Sequence, residues 1–326
     1  MNMRWSFICV VILLAACTKD YDFKLKDTTP LYVIEGRISD LQGPYYIHIT
    51  RSTSLLGYPL VTTQDADSFD AVQGAEVIIK DDLGTVDTLI PAADVLPRML
   101  YLYNNHVMDS DVRAYPSKVY TYKRGYYQTT KIKGMPGHNY QLHVRIGDST
   151  FQASAYMPPV PTLDSVAVKE DTVVDAAGDK GNLPLAWFRE PQDEKNYYML
   201  QFYSNVVEYP YNAFLLEYNN YYSIPFVVDD KILPPYVNGL SVQLIIPDSY
   251  PYSGAPQYFS YLDRGVQIRL SSLTKEAFEY FNVLRKQLQT DGNVYKPTPA
   301  SARGNIQGGA LGLFWASSIS YKLILP

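Results

Sequence analysis

The reactive groups of this 326-residue chain are few: two cysteines, four histidines and scattered carboxylates. Both cysteines, Cys9 and Cys17, lie at the extreme front. The histidines are His48, His106, His138 and His143. None belongs to a His-Glu-x-x-His motif or to a close pair, so no zinc-hydrolase spacing is present. His48 and His143 fall on the polar side of alternating segments and are expected to face solvent. Asp65-Ala-Asp67-Ser-Phe-Asp70 offers hard oxygen ligands of the kind calcium takes, but the rest of an EF-hand loop is missing. It reads as an exposed acidic loop. Glu190 and Asp193 are a conceivable acid and base, yet sequence does not fix their separation. There is no Gly-x-Ser-x-Gly elbow and no phosphate loop. Residues 308–312, Gly-Gly-Ala-Leu-Gly, lack the Lys-Ser/Thr that phosphate needs, and are expected to permit close backbone packing or a bulge. The expectation is a protein with no catalytic residues, no cofactor and no metal.

The elements around the cysteines explain their position. Arg4 supplies positive charge, residues 5–14 are apolar apart from Ser6, and Ala15 and Ala16 follow. The apolar run is shorter than the roughly 20 residues that span a bilayer. It has the layout of a cleaved export signal over residues 1–16. Leu14-Ala15-Ala16-Cys17 resembles the bacterial lipobox. That resemblance implies thioether lipidation of Cys17, cleavage just before it, and N-acylation by a fatty acid such as palmitate. Three acyl chains exceed the two signals that stable anchoring takes. Cleavage removes Cys9 and leaves a body without free thiol or disulfide, so thiol catalysis and cysteine zinc sites are excluded from it. The next residues include Lys19, Asp20 and Asp22, which resemble the surface-export signal of Bacteroidota lipoproteins; a solvated linker is the other reading. The resemblance implies a lipid anchor in the outer membrane with the body on the cell surface.

Composition sets the class of the body. Hydrophobic residues make up 47% and charged residues 19%, enough apolar content for a core. A net charge of −5 gives no electrostatic reason to expect nucleic acid. There are 30 tyrosines and 22 prolines, a bias toward strands and against helices. The fold expected is mainly β: an N-terminal Ig-like β-sandwich followed by a second β-rich domain carrying one amphipathic helix.

Residues 17–30 read as a lipidated tether and 31–157 as the sandwich. Tyr45, Ile47 and Ile49 alternate with polar neighbours, as do Val77 and Ile79. Tyr140, Leu142, Val144 and Ile146 face one way, Gly147-Asp148 turns the chain, and Phe151, Ala153 and Ala155 return. Met157-Pro-Pro-Val-Pro161 marks the boundary. In the second domain, 162–326, strands are expected at 163–168, around Tyr198 to Tyr203, at 242–246, 266–270 and near the C-terminus. A polar loop is expected at 175–181. A helix over about 274–290 places Ala277, Phe281, Leu284 and Leu288 on one face, with hydroxyl caps before it and Asp291-Gly292 after it.

Tyrosines crowd two segments: Tyr209, Tyr211, Tyr218, Tyr221 and Tyr222 in one, Tyr250, Tyr252, Tyr258 and Tyr261 in the other. Exposed tyrosine suits interfaces. Tyr209, Tyr211, Tyr221, Tyr222 and Tyr252 are the candidate contacts to a partner or a glycan; strand and core tyrosine is the plainer reading.

Several pieces together resemble known families. Val33-Ile-Glu-Gly-Arg-Ile38, Gln73-Gly-Ala-Glu-Val-Ile-Ile79, Asp82-Leu-Gly84 and Gly137-His-Asn-Tyr-Gln-Leu142 are similar to the carboxypeptidase-regulatory or transthyretin type of sandwich. Asn196-Tyr-Tyr198, Phe278-Glu-Tyr-Phe281, Gly304-Asn-Ile306 and Leu311-Gly-Leu-Phe314 resemble a Bacteroidota outer-membrane lipoprotein family of unknown function. Its members are often encoded beside TonB-dependent transporters. The resemblance implies a non-catalytic accessory subunit of such a barrel; the alternative is a cell-surface glycan-binding or adhesion module.

Overall fold

The computed structural model describes residues 30–52, 71–92, 125–173, 180–204, 226–241, 266–290 and 302–324. They form a mainly β protein of four sheets and one α-helix. Two sheets build the first core. One runs β15-β1-β2-β6-β5, from Phe314–Ser317, Tyr32–Ser39, Tyr46–Arg51, Tyr126–Gln128 and Ile90–Pro91. The other runs β4-β3-β7-β8, from Val86–Thr88, Glu76–Asp81, Asn139–Ile146 and Ser149–Tyr156. Ile34, Ile38, Ile47 and Ile49 of the first sheet meet Val77, Ile79, Leu142 and Phe151 of the second. The four isoleucines are fully buried, each contributing about 1.5–3 kcal/mol. The alternation read from the sequence is the inward face of these strands, and the expected hairpin is β7-β8.

Tyrosine abundance has a use in this core. Tyr45, Tyr127 and Tyr140 bury their rings and turn their hydroxyls onto loop backbone. Tyr45 Oη donates to Leu41 O at 2.7 Å and accepts from Gly134 N at 3.0 Å. Tyr127 Oη donates to Val72 O at 2.8 Å and accepts from Ala75 N at 3.0 Å. Tyr140 Oη accepts from Met135 N at 2.7 Å. Each ring fills core volume while its tip satisfies groups that sheet pairing leaves open.

The second core lies between the sheet β13-β10-β9 (Tyr236–Ser241, Lys180–Arg189, Leu163–Val173) and the sheet β12-β11-β14-β16 (Phe226–Asp229, Tyr197–Ser204, Val266–Leu273, Ile319–Ile324). Phe188, Tyr198, Leu200, Ile268 and Leu270 fill it. Lys180 and Gly181, expected in a loop, open β10, because they pair with Val173 and Thr172 of β9. The helix α1, Lys275–Thr290, covers the other face of the four-stranded sheet. Thr274 caps it: its Oγ1 accepts from Ala277 N at 3.3 Å. Ala277 and Phe281 of the expected face pack with Met199, Val227, Leu273 and Trp315. Met199 is therefore buried although the strand alternation places it opposite Tyr198 and Leu200.

The two halves are not separate in sequence order. Residues 302–317, assigned above to the second domain, return to the first sandwich. The strand β15 pairs in parallel with β1, Gly36 opposite Phe314 and Ser39 opposite Ser317. Before it, a strap lies along β1, with Ile34 N donating to Leu311 O at 2.9 Å, and along β8, with Gln307 N donating to Gln152 O at 2.8 Å. Asn305 holds the strap as a strand would: its Oδ1 accepts from Phe314 N at 2.9 Å and its Nδ2 donates to Phe314 O at 2.7 Å. A Cβ on Gly304 would sit 1.6 Å from Gly312 O, which is why the motif needs glycine there. The close backbone approach expected of residues 308–312 is present at Gly308 and Gly312, where a Cβ would lie 2.4 Å from Thr150 O and 2.1 Å from Ile34 O.

Candidate functional site

Cys17, Lys19, Asp20 and Asp22 lie outside the described residues. So do Tyr209, Tyr211, Tyr221, Tyr222 and Tyr252, the other crowded tyrosines, His106, the acidic 65–70 segment and the 242–246 strand. The described residues place the remaining chemistry in four loci.

The first is a carboxylate sealed in the first core. Asp87 on β4 is fully buried. Its Oδ2 accepts from the backbone N–H groups of Thr130, Lys131 and Ile132 at 2.7, 2.7 and 3.0 Å, and its Oδ1 from the Thr130 hydroxyl at 2.7 Å. Burial alone pushes this carboxyl up, but the four donors outweigh it and hold the group below the usual carboxylate range. All four donors are loop groups, so Asp87 folds the 129–132 segment onto the sheet.

The second is the end of the same sandwich. Asp82 Oδ1 meets His138 Nδ1 at 2.7 Å, while Oδ2 accepts from Asn139 N and Nδ2 at 2.9 and 3.1 Å. These bonds, the Asn139 amide first, lower the Asp82 carboxyl to about 2. An aspartate–histidine pair is two-thirds of a nucleophilic triad. Among the described residues no hydroxyl hydrogen-bonds to His138, so the pair closes a turn. The other strand histidines depart from expectation. His48 is only 22% exposed because β6 brings Tyr126 against it, the rings stacking at 4.1 Å. His143 is half-buried in a shallow hollow with Glu76, Arg145 and Gln152.

The third locus joins the cores. The Arg37 guanidinium lies 4.3 Å over the Trp315 ring and donates to Ser317 Oγ at 2.8 Å and Ser271 Oγ at 3.2 Å. Trp315 meets Phe281 of α1 edge-on at 5.1 Å. Beside it, Ser272 and Ser318 each donate a hydroxyl to Pro158 O at 2.6 Å, and Ser318 N donates to Ser272 Oγ at 3.0 Å. This buried polar seam ties β1, β14, β15 and the proline break into one joint.

The fourth is a polar knot at one end of the second core. Glu190 is 4% exposed and accepts from Asn196 Nδ2 at 3.2 Å. Burial raises its carboxyl, and Asp230 and Glu194 add to the rise. The Tyr198 hydroxyl lies beside it and is raised by burial and by that carboxyl, yet neither Tyr198 Oη nor Glu190 Oε2 has a partner in hydrogen-bond geometry. Asp230 Oδ2 accepts from Asn196 N at 2.6 Å, and Lys195 Nζ bridges Asp229 and Asp230. Asp193, by contrast, is exposed in the turn, so the imagined pairing with Glu190 has one buried and one solvated member. Among the described residues no group of three or more His, Cys, Asp or Glu is arranged to hold a metal. Around the knot, Ile232 and Tyr236 are 75% and 43% exposed.

A buried carboxylate bound to backbone, tyrosine hydroxyls turned onto loops, and a polar joint between two cores define a class: a mainly β, sandwich-type protein. The chain belongs to the family described as a domain of unknown function (DUF4249), whose profile matches residues 18–322. No curated protein and no solved structure matches it.

Proposed function

We propose that this chain is a lipid-anchored protein of the bacterial outer-membrane surface, a non-catalytic accessory subunit of a TonB-dependent barrel. The observation that carries the proposal is Leu14-Ala15-Ala16-Cys17, set behind a short apolar run with no cysteine later in the chain. A thiol at that position alone suits an acyl acceptor. Three acyl chains on Cys17 hold the protein at a bilayer, and the acidic tether with Asp20 and Asp22 suits display outward. The resemblance to lipoproteins encoded beside such transporters supports the barrel as partner. The interlocked cores support an accessory role, because a rigid body presents one fixed surface to a large partner without an ordering cost.

Mass spectrometry of the membrane-extracted protein tests the anchor. The expected N-terminus is an acylated Cys17, and Cys17→Ala releases the protein from the membrane fraction. A retained leader, or an unacylated wild-type chain in the medium, refutes the anchor. Pull-down through a C-terminal tag in mild detergent tests the partner. Recovery of a stoichiometric barrel protein is expected, and a solitary monomer refutes it.

A further inference from the structure

The outward face of the sheet β13-β10-β9 carries a feature that neither the tyrosine-rich segments nor the joint absorbs. On β10, Phe188 and Ala186 point into the core, so Trp187 and Arg189 point out. On β13, Val237 points in, so Tyr236 and Asn238 point out. The register slips by one residue between Ala186 and Phe188, setting Asn238 and Gly239 together opposite Trp187. The indole is held there from two sides. Its Nε1 donates to Asn238 Oδ1 at 2.6 Å, and a Cβ on Gly239 would lie only 3.4 Å from its six-membered ring. Gly239 has φ +74°, which suits a bulge. On the other flank, Trp187 pairs with the exposed Ser165. Arg189 lies 5.6 Å over the ring of Tyr236.

We propose that Trp187, Tyr236, Asn238 and Arg189 form a binding face for a neutral polysaccharide. Trp187, half-buried on the central strand, has Ser165 and Gly239 beside it and Leu185 two residues along on the same face, so its indole stands as an aromatic step on the outward surface. Its orientation is fixed before any ligand arrives, which removes an ordering cost. The ring face is electron-rich and attracts the partially positive C–H face of a pyranose. The amide of Asn238 adjoins the indole edge and the guanidinium of Arg189 adjoins the Tyr236 ring, so both can reach the hydroxyls of a sugar stacked there. Both present paired polar atoms, as vicinal hydroxyls require. A protein partner is the poorer fit, because Ser165, Asn238 and Arg189 set polar groups around the two rings, where a protein hot spot takes a desolvated apolar pocket. The inference does not rest on the membrane anchor or on the barrel, and its test uses neither.

The test is affinity electrophoresis of the purified full chain in detergent, through gels containing soluble starch, hydroxyethyl cellulose or galactomannan. Retardation by at least one is expected, with affinity falling about tenfold or more in Trp187→Ala and in Tyr236→Ala. Trp187→Phe, which keeps a flat apolar ring, is expected to stay within about threefold of the wild type. Tyr236→Ala and Asn238→Ala remove exposed groups and carry the test if Trp187→Ala misfolds by circular dichroism. No retardation by any of the three polysaccharides overturns the proposal. So does retardation that survives the folded Tyr236 and Trp187 variants.

Discussion

Replacing Asp87 by alanine leaves three backbone N–H groups and one hydroxyl without their shared acceptor. Hydrogen bonds to a charged group are worth about 1.5–3 kcal/mol each. The losses do not add fully. Thr130 and Lys131 are exposed, so water re-satisfies them, whereas Ile132 is buried and its N–H stays dry. The expected cost of Asp87→Ala is about 3–5 kcal/mol. Asparagine is a sharper probe. Its carbonyl oxygen takes the place of Oδ2 and keeps all three N–H bonds, while its amide donates to Thr130 Oγ1, whose hydroxyl rotates to accept. Only the charge is lost, so Asp87→Asn is expected to cost about 1–2 kcal/mol. The charge also sets a pH dependence. The folded carboxyl titrates below the unfolded one, so its stabilisation is complete above about pH 4 and fades as pH falls through the folded value. Urea unfolding followed by circular dichroism at pH 7 and at pH 3 measures both effects. Alanine should be far worse than asparagine at pH 7, and the gap between wild type and asparagine should shrink at pH 3. An asparagine variant as damaged as alanine, or a gap that widens in acid, refutes this account.

Glu190 carries the opposite sign. Burial raises its folded proton affinity, so its contribution is complete below about pH 4 and is lost as pH rises through the folded value. Glu190→Gln should therefore gain on the wild type between pH 4.5 and pH 8, by about 1 kcal/mol at the upper end, in paired thermal melts. Tyr127→Phe removes a donor to Val72 O and an acceptor for Ala75 N; a loss of about 1–3 kcal/mol is expected, with faster hydrogen exchange at Ala75. Gly304→Ala drives a Cβ into Gly312 O and should loosen the strap, costing about 2–4 kcal/mol and opening residues 302–313 to limited proteolysis.

Local periodicity made much of this architecture readable. The hairpin β7-β8 shows in the alternation of Tyr140, Leu142 and Val144 around Gly147-Asp148, because one face is buried and the other wet. The helix shows in the spacing of Ala277 and Phe281 behind Thr274. Alternation fails where both faces are covered, as at Tyr198, Met199 and Leu200. It also carries no signal for partners far apart in sequence. Nothing near Phe314 announces pairing with Gly36, and nothing near Asp87 announces the loop that it binds 43 to 45 residues later. The motif Gly304-Asn-Ile306 was visible, but its role in gripping Phe314 depends on geometry that only the folded chain supplies. The face around Trp187 is silent in the sequence for a related reason. The register slip that sets Gly239 beneath the indole has no sequence signature beyond one glycine in a strand.

The parallel pairing of β1 with β15 decides how the protein bears load. Tension entering at residue 30 and resisted at residue 324 pulls the two strands in opposite directions along their length. Their rungs, from Gly36–Phe314 to Ser39–Ser317, are then strained together in shear and do not peel apart one at a time. Because Ser318 passes that load straight into β16 and the sheet beyond, both lobes resist a tug as one tensile element.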